Sequence, residues 1–413
     1  MKKALLILLI IYLSIRPVEA FAASHPPVVA DGAVLVDADS GQILYEKNKD
    51  TKFYPASTTK IMTALLVLEH CKLDDKVIIG KKPSSFIDGS KIYLFLDEEF
   101  TVDQLLHALL IASANDVALA FAEHVAGSEA AFADLMNKKA EQLGCLNTHF
   151  ANPHGLYDPA HYTTAYDLSL IAREAMKNET FRQIVNTKSY SIPPTNKQPE
   201  QRPLNTNDML ILNTKYHVDG ANGIKVGYTS EAGHSFVGSA YRNGRELIVV
   251  LLHDKKPGLF EDASSLLNYG FNDFSTVKEL SQNSEVTSIR VTDSETQIPL
   301  LAKEDLYYTY PKDEVPDISK NIIITASAVT SITKGEKLGY AEYFDHGKKI
   351  GTVDLLAAGN LNATLLSSYK SDENGEVKKS FNIIASIPAS LFLLAGSFAL
   401  YKIFSSRKRS MNN

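Results

Sequence analysis

Apolar and polar positions change period several times along this chain, and each change predicts an element. Over residues 33–48 the apolar residues alternate about an Asp39-Ser40-Gly41 turn, which predicts a β-hairpin. The period then switches. Ile61, Met62, Ala64, Leu65, Leu66, Val67 and Leu68 leave almost no polar face, so residues 54–70 read as a buried central helix with Pro55 in its first turn. Residues 76–79 and 92–95 read as short strands. Residues 102–126 are helical in period, but Ser113-Ala114-Asn115 interrupts them and predicts a break that faces a cleft. Residues 129–143 form an amphipathic helix stopped by Gly144, and 166–176 form another, with Asn152-Pro153-His154-Gly155-Leu156 as a loop between them.

Residues 189–213 hold Pro193, Pro194, Pro199 and Pro203 and read as loop with short extended pieces. Residues 224–228, 234–241 and 246–253 predict three antiparallel strands, the last two joined at Arg242-Asn243-Gly244. Residues 263–271 predict a closing helix. Beyond about Thr276 the pattern is β only, with strands at 286–291, 322–331, 338–344 and 351–355. The expected organisation is a main domain over 27–275 and a small all-β domain over 276–361.

The two ends carry different signals. Lys2 and Lys3 precede an apolar run and then Ala20-Phe21-Ala22, which predicts a secretory signal peptide over 1–22. A polar linker over 362–382 leads to residues 383–404, apolar on every face and long enough to cross a bilayer. Arg407, Lys408 and Arg409 place the tail, 405–413, in the cytoplasm. The expected location is the cell membrane, single-pass, with the body on the extracytoplasmic side.

Composition removes some functions. A net charge of -6 in 413 residues argues against nucleic acid as a partner. Cys71 and Cys145 show no CxxC and no zinc spacing, and read as two unpaired thiols, with one disulfide as the other option outside the cell. His149, His154 and His161 match no helical metal-site spacing, so no metal is expected.

Candidate chemistry begins at the central helix. Ser57 and Lys60, three apart, share a helical face, so hydroxyl and amine can meet. The helix start offers unpaired N–H groups where an acyl oxyanion needs donors. Ser-x-x-Lys alone is common, and a serine near a helix start is usually a cap. Two further pieces change the weight: Ser113-x-Asn115 at the helix break, and Lys225-Val226-Gly227 on a strand, where the glycine lets a substrate backbone approach.

Serine and lysine on a helix, serine and asparagine at a break, and lysine and glycine on a strand resemble the motif set of penicillin-binding proteins and serine β-lactamases. The segments DADSGQILYEKN, YPASTTKIMTALLVLE, ASANDVALAFAEHVAG, THFANPHGL and KVGYTSEAGHSFVGSA are similar to the low-molecular-mass D-alanyl-D-alanine carboxypeptidases, from about Pro27 to about Leu361. The resemblance implies an α+β fold: a DD-peptidase/β-lactamase-like domain with an antiparallel sheet and a helical subdomain, then a small all-β domain and a membrane helix. It implies a penicillin-sensitive serine carboxypeptidase that removes the terminal D-alanine of peptidoglycan stem peptides, with β-lactams as covalent inhibitors and no metal or organic cofactor. Ser57 would be the nucleophile, Lys60 its base and Ser113 the proton carrier. Asn115, Lys225, Gly227 and Tyr228 would bind substrate, and the N–H groups of Ser57 and Tyr228 would form the oxyanion hole.

This chain departs from the family at two places. Val226 replaces a threonine, and Leu259 stands where an arginine often meets the substrate carboxylate. These departures motivate one alternative, a weakly active or non-catalytic binder of wall peptides and β-lactams; a β-lactamase is a third reading, against which the membrane tether and the C-terminal domain speak.

Overall fold

The computed structural model describes residues 25–255, 258–290, 297–325 and 332–361, with a short strand at Ala385–Ser386. The expected signal peptide, linker and cytoplasmic tail lie outside the described residues, as does the expected membrane segment apart from those two residues. Among the described residues no helix is long and apolar enough to cross a membrane. The chain divides between Asn272 and Asp273 into two compact units.

The first unit is built on strands β1 (Gly32–Asp37) and β2 (Ile43–Lys47), β3 (Lys76–Ile78) and β4 (Glu99–Thr101), β5 (Ser189–Ile192) and β6 (Arg202–Asn205), and β7 (Ala221–Thr229), β8 (Gly233–Arg242) and β9 (Arg245–Asp254). Its main sheet is antiparallel, in the order β2-β1-β9-β8-β7. Central strands covered on both faces read as continuous apolar runs, and Leu247 to Leu252 of β9 are all fully buried. Alternation sorts the faces. Val34, Val36, Ile248, Val250 and Leu252 join the helical core. Leu35 and Leu247 point to the other side, where helix α8 (Leu259–Asp273) covers them; a Cβ on its Gly270 would come within 2.6 Å of Leu247 and 2.8 Å of Leu35.

The helical layer holds α1 (Lys60–His70), α2 (Lys81–Ser84), α3 (Val102–Leu110), α4 (Asn115–Ala126), α5 (Glu129–Gln142), α6 (Ala165–Met176) and α7 (Glu179–Val185). Helix α1 lies in the middle, with every residue from Lys60 to Val67 buried. A capping box of Thr101 with Gln104 starts α3, and left-handed Gly127 closes α4. Each end thereby satisfies its own backbone groups.

Two expectations change, and a third gains detail. The central helix does not run from Tyr54: Ala56–Thr59 is a 3-10 turn, and the α-helix begins at Lys60. Residues 92–95 are not a strand. The N–H groups of Ile92 and Leu94 donate to the Asp116 carboxylate instead of a ladder, and β3 pairs with β4. The proline-rich stretch contains a paired hairpin, β5 with β6, with Pro203 tolerated because the pair has only edges.

The second unit carries β10 (Phe274–Leu280), β11 (Glu285–Arg290), β12 (Gln297–Ala302), β13 (Leu306–Pro311), β14 (Ile318–Ile324), β15 (Lys337–Asp345), β16 (Lys348–Ala357) and β17 (Ala385–Ser386). Strand β14 begins before the expected 322, and part of the expected strand, 326–331, lies outside the described residues. The six-stranded sheet runs β14-β15-β16-β12-β11-β17 over its own core, which includes Leu300, Leu338, Ala341 and Leu355.

Candidate active site

Ser57 sits in the 3-10 turn between the sheet edge and the helical layer. The turn is fixed from several sides. Thr58 Oγ1 donates to the Pro55 carbonyl at 2.6 Å, and Thr59 Oγ1 bonds His161 Nε2 at 2.8 Å. A side chain at Gly155 would run into the Ala56 carbonyl. Ala56 itself has φ +50°, a left-handed conformation that costs an L-residue about 1–2 kcal/mol. The surroundings therefore hold a strained residue directly before the hydroxyl.

Lys60 is fully buried, and its Nζ has three neighbours. Nζ lies 2.9 Å from Ser57 Oγ, 2.7 Å from Asn115 Oδ1 and 2.7 Å from the His154 carbonyl. The last two can only accept. A neutral amine has two N–H bonds and one lone pair, so those acceptors consume its hydrogens and leave the lone pair for the Ser57 hydroxyl. Burial pushes the Lys60 pKa well below its ordinary value, the charge of Lys225 pushes it the same way, and Asp116 opposes them.

Each acceptor is itself held. Asn115 opens α4, and its Nδ2 donates to the Asp88 carbonyl at 3.0 Å, which turns Oδ1 toward Lys60. Its backbone N–H bonds the Ser90 carbonyl at 2.7 Å. The His154 loop is folded by Asn152, whose Oδ1 accepts from Gly155 N at 2.7 Å and whose Nδ2 reaches the Leu156 carbonyl. His154 Nε2 lies 3.4 Å from Glu129 on α5.

Ser113 stands at the break between α3 and α4, buried, with φ +60°. Among the described residues its hydroxyl forms no hydrogen bond. The structure thus joins Ser57, Lys60 and Asn115 by direct bonds and leaves Ser113 two residues from Asn115 with a free hydroxyl.

The opposite wall is β7, an edge strand whose outer backbone groups have no partner strand among the described residues. A Cβ on Gly227 would lie 3.0 Å from Ser57 N and 3.2 Å from the Pro55 carbonyl oxygen, so a side chain here would push the strand and the nucleophile's turn apart by a few tenths of an ångström. Lys225 is buried and donates to the Val226 carbonyl at 2.9 Å. Burial lowers its pKa to about 7, with Asp208 acting the other way. The Asp208 carboxyl is raised to about 6 by burial, and its Oδ2 has no hydrogen-bond partner. Tyr228 is 61% exposed, with its ring against His234, so only its backbone belongs to the expected role. Leu259 is buried at the start of α8.

Sequence reasoning missed His154, His161, Asp88 and Asp208. His154 and Asp88 act through main-chain carbonyls, which leave no side-chain signal. The three histidines that invited a metal reading do other work: two brace the nucleophile's turn and its base, and His149 bonds the Ala160 carbonyl. Cys71 and Cys145 are free, and burial pushes the Cys145 thiol up to about 12.

Comparison with known proteins agrees with this geometry. Residues 19–256 match the family described as D-alanyl-D-alanine carboxypeptidase, and residues 274–363 match the C-terminal domain of penicillin-binding protein 5. The chain is 34% identical over 319 residues to D-alanyl-D-alanine carboxypeptidase DacF of Bacillus subtilis, covering 75% of this chain and 80% of that one. It is 38% identical over 268 residues to a D-alanyl-D-alanine carboxypeptidase of Streptomyces sp., covering 61% of this chain and 90% of the relative. Penicillin-binding protein 5 from Haemophilus influenzae superposes with a TM-score of 0.70 at 29% identity, over 83% of this chain and 100% of that one.

Proposed function

This chain belongs to the D-alanyl-D-alanine carboxypeptidase family, and we propose from that premise how its residues divide the reaction. It is a serine-type D-alanyl-D-alanine carboxypeptidase. Its substrate is the D-alanyl-D-alanine end of a peptidoglycan stem peptide. The observation that carries the division is the Lys60 environment, two fixed carbonyl acceptors and one hydroxyl around a buried amine.

Ser57 Oγ attacks the carbonyl between the two D-alanines, and its proton passes to Lys60 Nζ. The N–H groups of Ser57 and Tyr228 receive the oxyanion. Ser113 carries a proton to the nitrogen of the departing D-alanine, and the C–N bond breaks. Water then attacks the Ser57 ester, and the shortened peptide leaves. Lys225 meets the terminal carboxylate. That anion favours the ammonium form and raises its pKa while substrate is bound. β-Lactams acylate the same serine because they present a carboxylate and a reactive amide in the same relation. The non-catalytic alternative is not favoured, since relatives named as carboxypeptidases span most of this chain.

The signal-like amino terminus and the apolar run near the carboxyl terminus support a body held at the outer face of a cell membrane by its C-terminal segment. The decisive experiment measures D-alanine release from stem peptides by mass spectrometry, alongside covalent labelling with fluorescent penicillin. The intact protein releases D-alanine and is labelled; Ser57→Ala does neither. Release by Ser57→Ala, or none by the intact chain, would overturn the assignment.

A further inference from the structure

Lys60 is held by two acceptors, Asn115 Oδ1 and the His154 carbonyl. Both are tied, by separate routes, to one side chain that the reaction itself does not use, Glu129. Its position is set locally. Left-handed Gly127 ends α4, Ser128 caps α5 by accepting from Ala131 N at 3.2 Å, and Glu129 is the first helical residue. A carboxylate there lies beside the positive end of the helix. The side chain is 23% exposed, and its two oxygens have different partners.

The first route runs through His154. Glu129 Oε1 lies 3.4 Å from His154 Nε2. The other ring nitrogen, Nδ1, accepts from Leu156 N at 3.2 Å, so the neutral ring carries its hydrogen on Nε2 and donates it to Glu129. That bond is the first cause holding the Glu129 carboxyl down at about 2, against burial. Burial lowers the His154 pKa, with Glu129 opposing it, and so favours the neutral ring. A ring pinned to α5 fixes the carbonyl of the same residue, 2.7 Å from Lys60 Nζ.

The second route runs through α2. Glu129 Oε2 pairs with Lys82. Phe86 N donates to the Pro83 carbonyl at 3.2 Å, and the Phe86 ring lies 5.4 Å from the His154 ring. Two residues further on, the Asp88 carbonyl accepts from Asn115 Nδ2 at 3.0 Å, and Asn115 Oδ1 accepts from Lys60. Two routes thus leave one carboxylate and meet again at one amine.

We propose that Glu129 is a positioning residue for the general base: it fixes both acceptors of Lys60, one through His154, the other through Lys82 and the segment that Lys82 anchors. The inference rests on the carboxypeptidase reading, because that reading makes Lys60 the base. The lone pair faces Ser57 Oγ only while both N–H bonds are directed elsewhere. Loss of a route lets Nζ turn and present a hydrogen to the hydroxyl in place of its lone pair. Binding, which depends on Lys225 and β7, is untouched.

The test is stopped-flow acylation of the full chain by a fluorescent penicillin, which yields a maximum rate and a half-saturating concentration. The variants are Glu129→Ala, Glu129→Gln and Lys82→Met. Ser128→Ala is the control, since it removes the cap of the same helix and leaves the carboxylate. Glu129→Ala lowers the maximum rate about tenfold, the size of one charge-assisted hydrogen bond, at an unchanged half-saturating concentration. That split marks a loss confined to the transition state. Glu129→Gln keeps an acceptor for His154, and Lys82→Met keeps the His154 route, so each loses about threefold. The double variant of Glu129→Ala with Lys82→Met is no slower than Glu129→Ala, because the lysine route ends on the same carboxylate. Ser128→Ala melts earlier but acylates at the intact rate.

An unchanged maximum rate in Glu129→Ala, a half-saturating concentration that rises with it, a slower double variant, or an equal loss in Ser128→Ala overturns the positioning role alone. Should Glu129→Ala not fold, unchanged maximum rates in the near-isosteric Glu129→Gln and in Lys82→Met overturn it as well. An intact chain that penicillin does not label overturns the carboxypeptidase reading instead.

Discussion

At the scale of single residues the chemistry depends on a lysine whose surroundings disfavour its charged form. Burial lowers the Lys60 pKa most, and the neighbouring Lys225 adds to it. The base works only when deprotonated, so acylation falls off on the acid side as Lys60 takes up a proton. Removing the second cation takes away one of the two depressing causes. Lys225→Met should therefore move the acid limb of the penicillin acylation rate to higher pH, while KM for a peptide rises because the substrate carboxylate loses its cation. Stopped-flow acylation across the neutral and alkaline range reads the first effect, and peptide kinetics read the second. An acid limb that stays in place would show that Lys225 does not tune the base. Val226 is the complementary case. It is half-buried on the edge strand, opposite Phe236, and it lacks the hydroxyl that the family resemblance leads one to expect there. Val226→Thr restores a donor at nearly constant shape, and a hydrogen bond to a charged group is worth about 1.5–3 kcal/mol. kcat/KM on a D-alanyl-D-alanine peptide should then rise by about tenfold or more. No rise would mean that the strand does not present this side chain to the carboxylate.

At the scale of elements, the sequence was most legible where burial is periodic. The apolar runs of α1, β8 and β9 announced themselves because they are covered on all sides. It was least legible where side chains replace a ladder. Residues 92–95 look like a strand, yet their N–H groups end on Asp116, 22 to 24 residues away. No local pattern encodes that choice. The same segment explains how Asn115 is aimed. Its amide is oriented by the Asp88 carbonyl, and Gly89, at φ +65°, leaves the room: a Cβ there would sit 2.5 Å from Asn115 Nδ2. Gly89→Ala should displace the amide, loosen Lys60 and reduce penicillin acylation by about tenfold, the loss of one hydrogen bond to a charged group. A left-handed alanine also carries a backbone cost of about 1–2 kcal/mol anywhere. Gly127→Ala supplies the control, since Gly127 has φ +76° with nothing within 4 Å of its Cβ. Comparable loss of melting temperature in the two variants, with acylation lost only in Gly89→Ala, isolates the positioning effect. Equal acylation in both would reduce Gly89 to a turn residue.

At the scale of the whole molecule, the groups that close around Ser57 and Lys60 come from four separate stretches: their own turn, Asn115, the His154 loop and β7. The Ser57, Ser113 and Lys225 motifs were legible as residue types in order. Their convergence was not, because it depends on long-range pairing of β1 with β9 and on carbonyls of two loops. All of these stretches belong to the first unit. The second unit has a core of its own, from Val286 to Leu361, with no residue shared with the first. A unit with its own core unfolds on its own terms. Val286 is 5% exposed in that second core, so Val286→Asp buries a carboxylate without a partner and should cost several kcal/mol there. Calorimetry should then show one transition moving down and another staying in place, while fluorescent penicillin still labels Ser57 at the unaltered rate. If labelling slows in step with the displaced transition, the catalytic groups draw their rigidity from the β-rich unit, and the independence argued from the two cores is wrong.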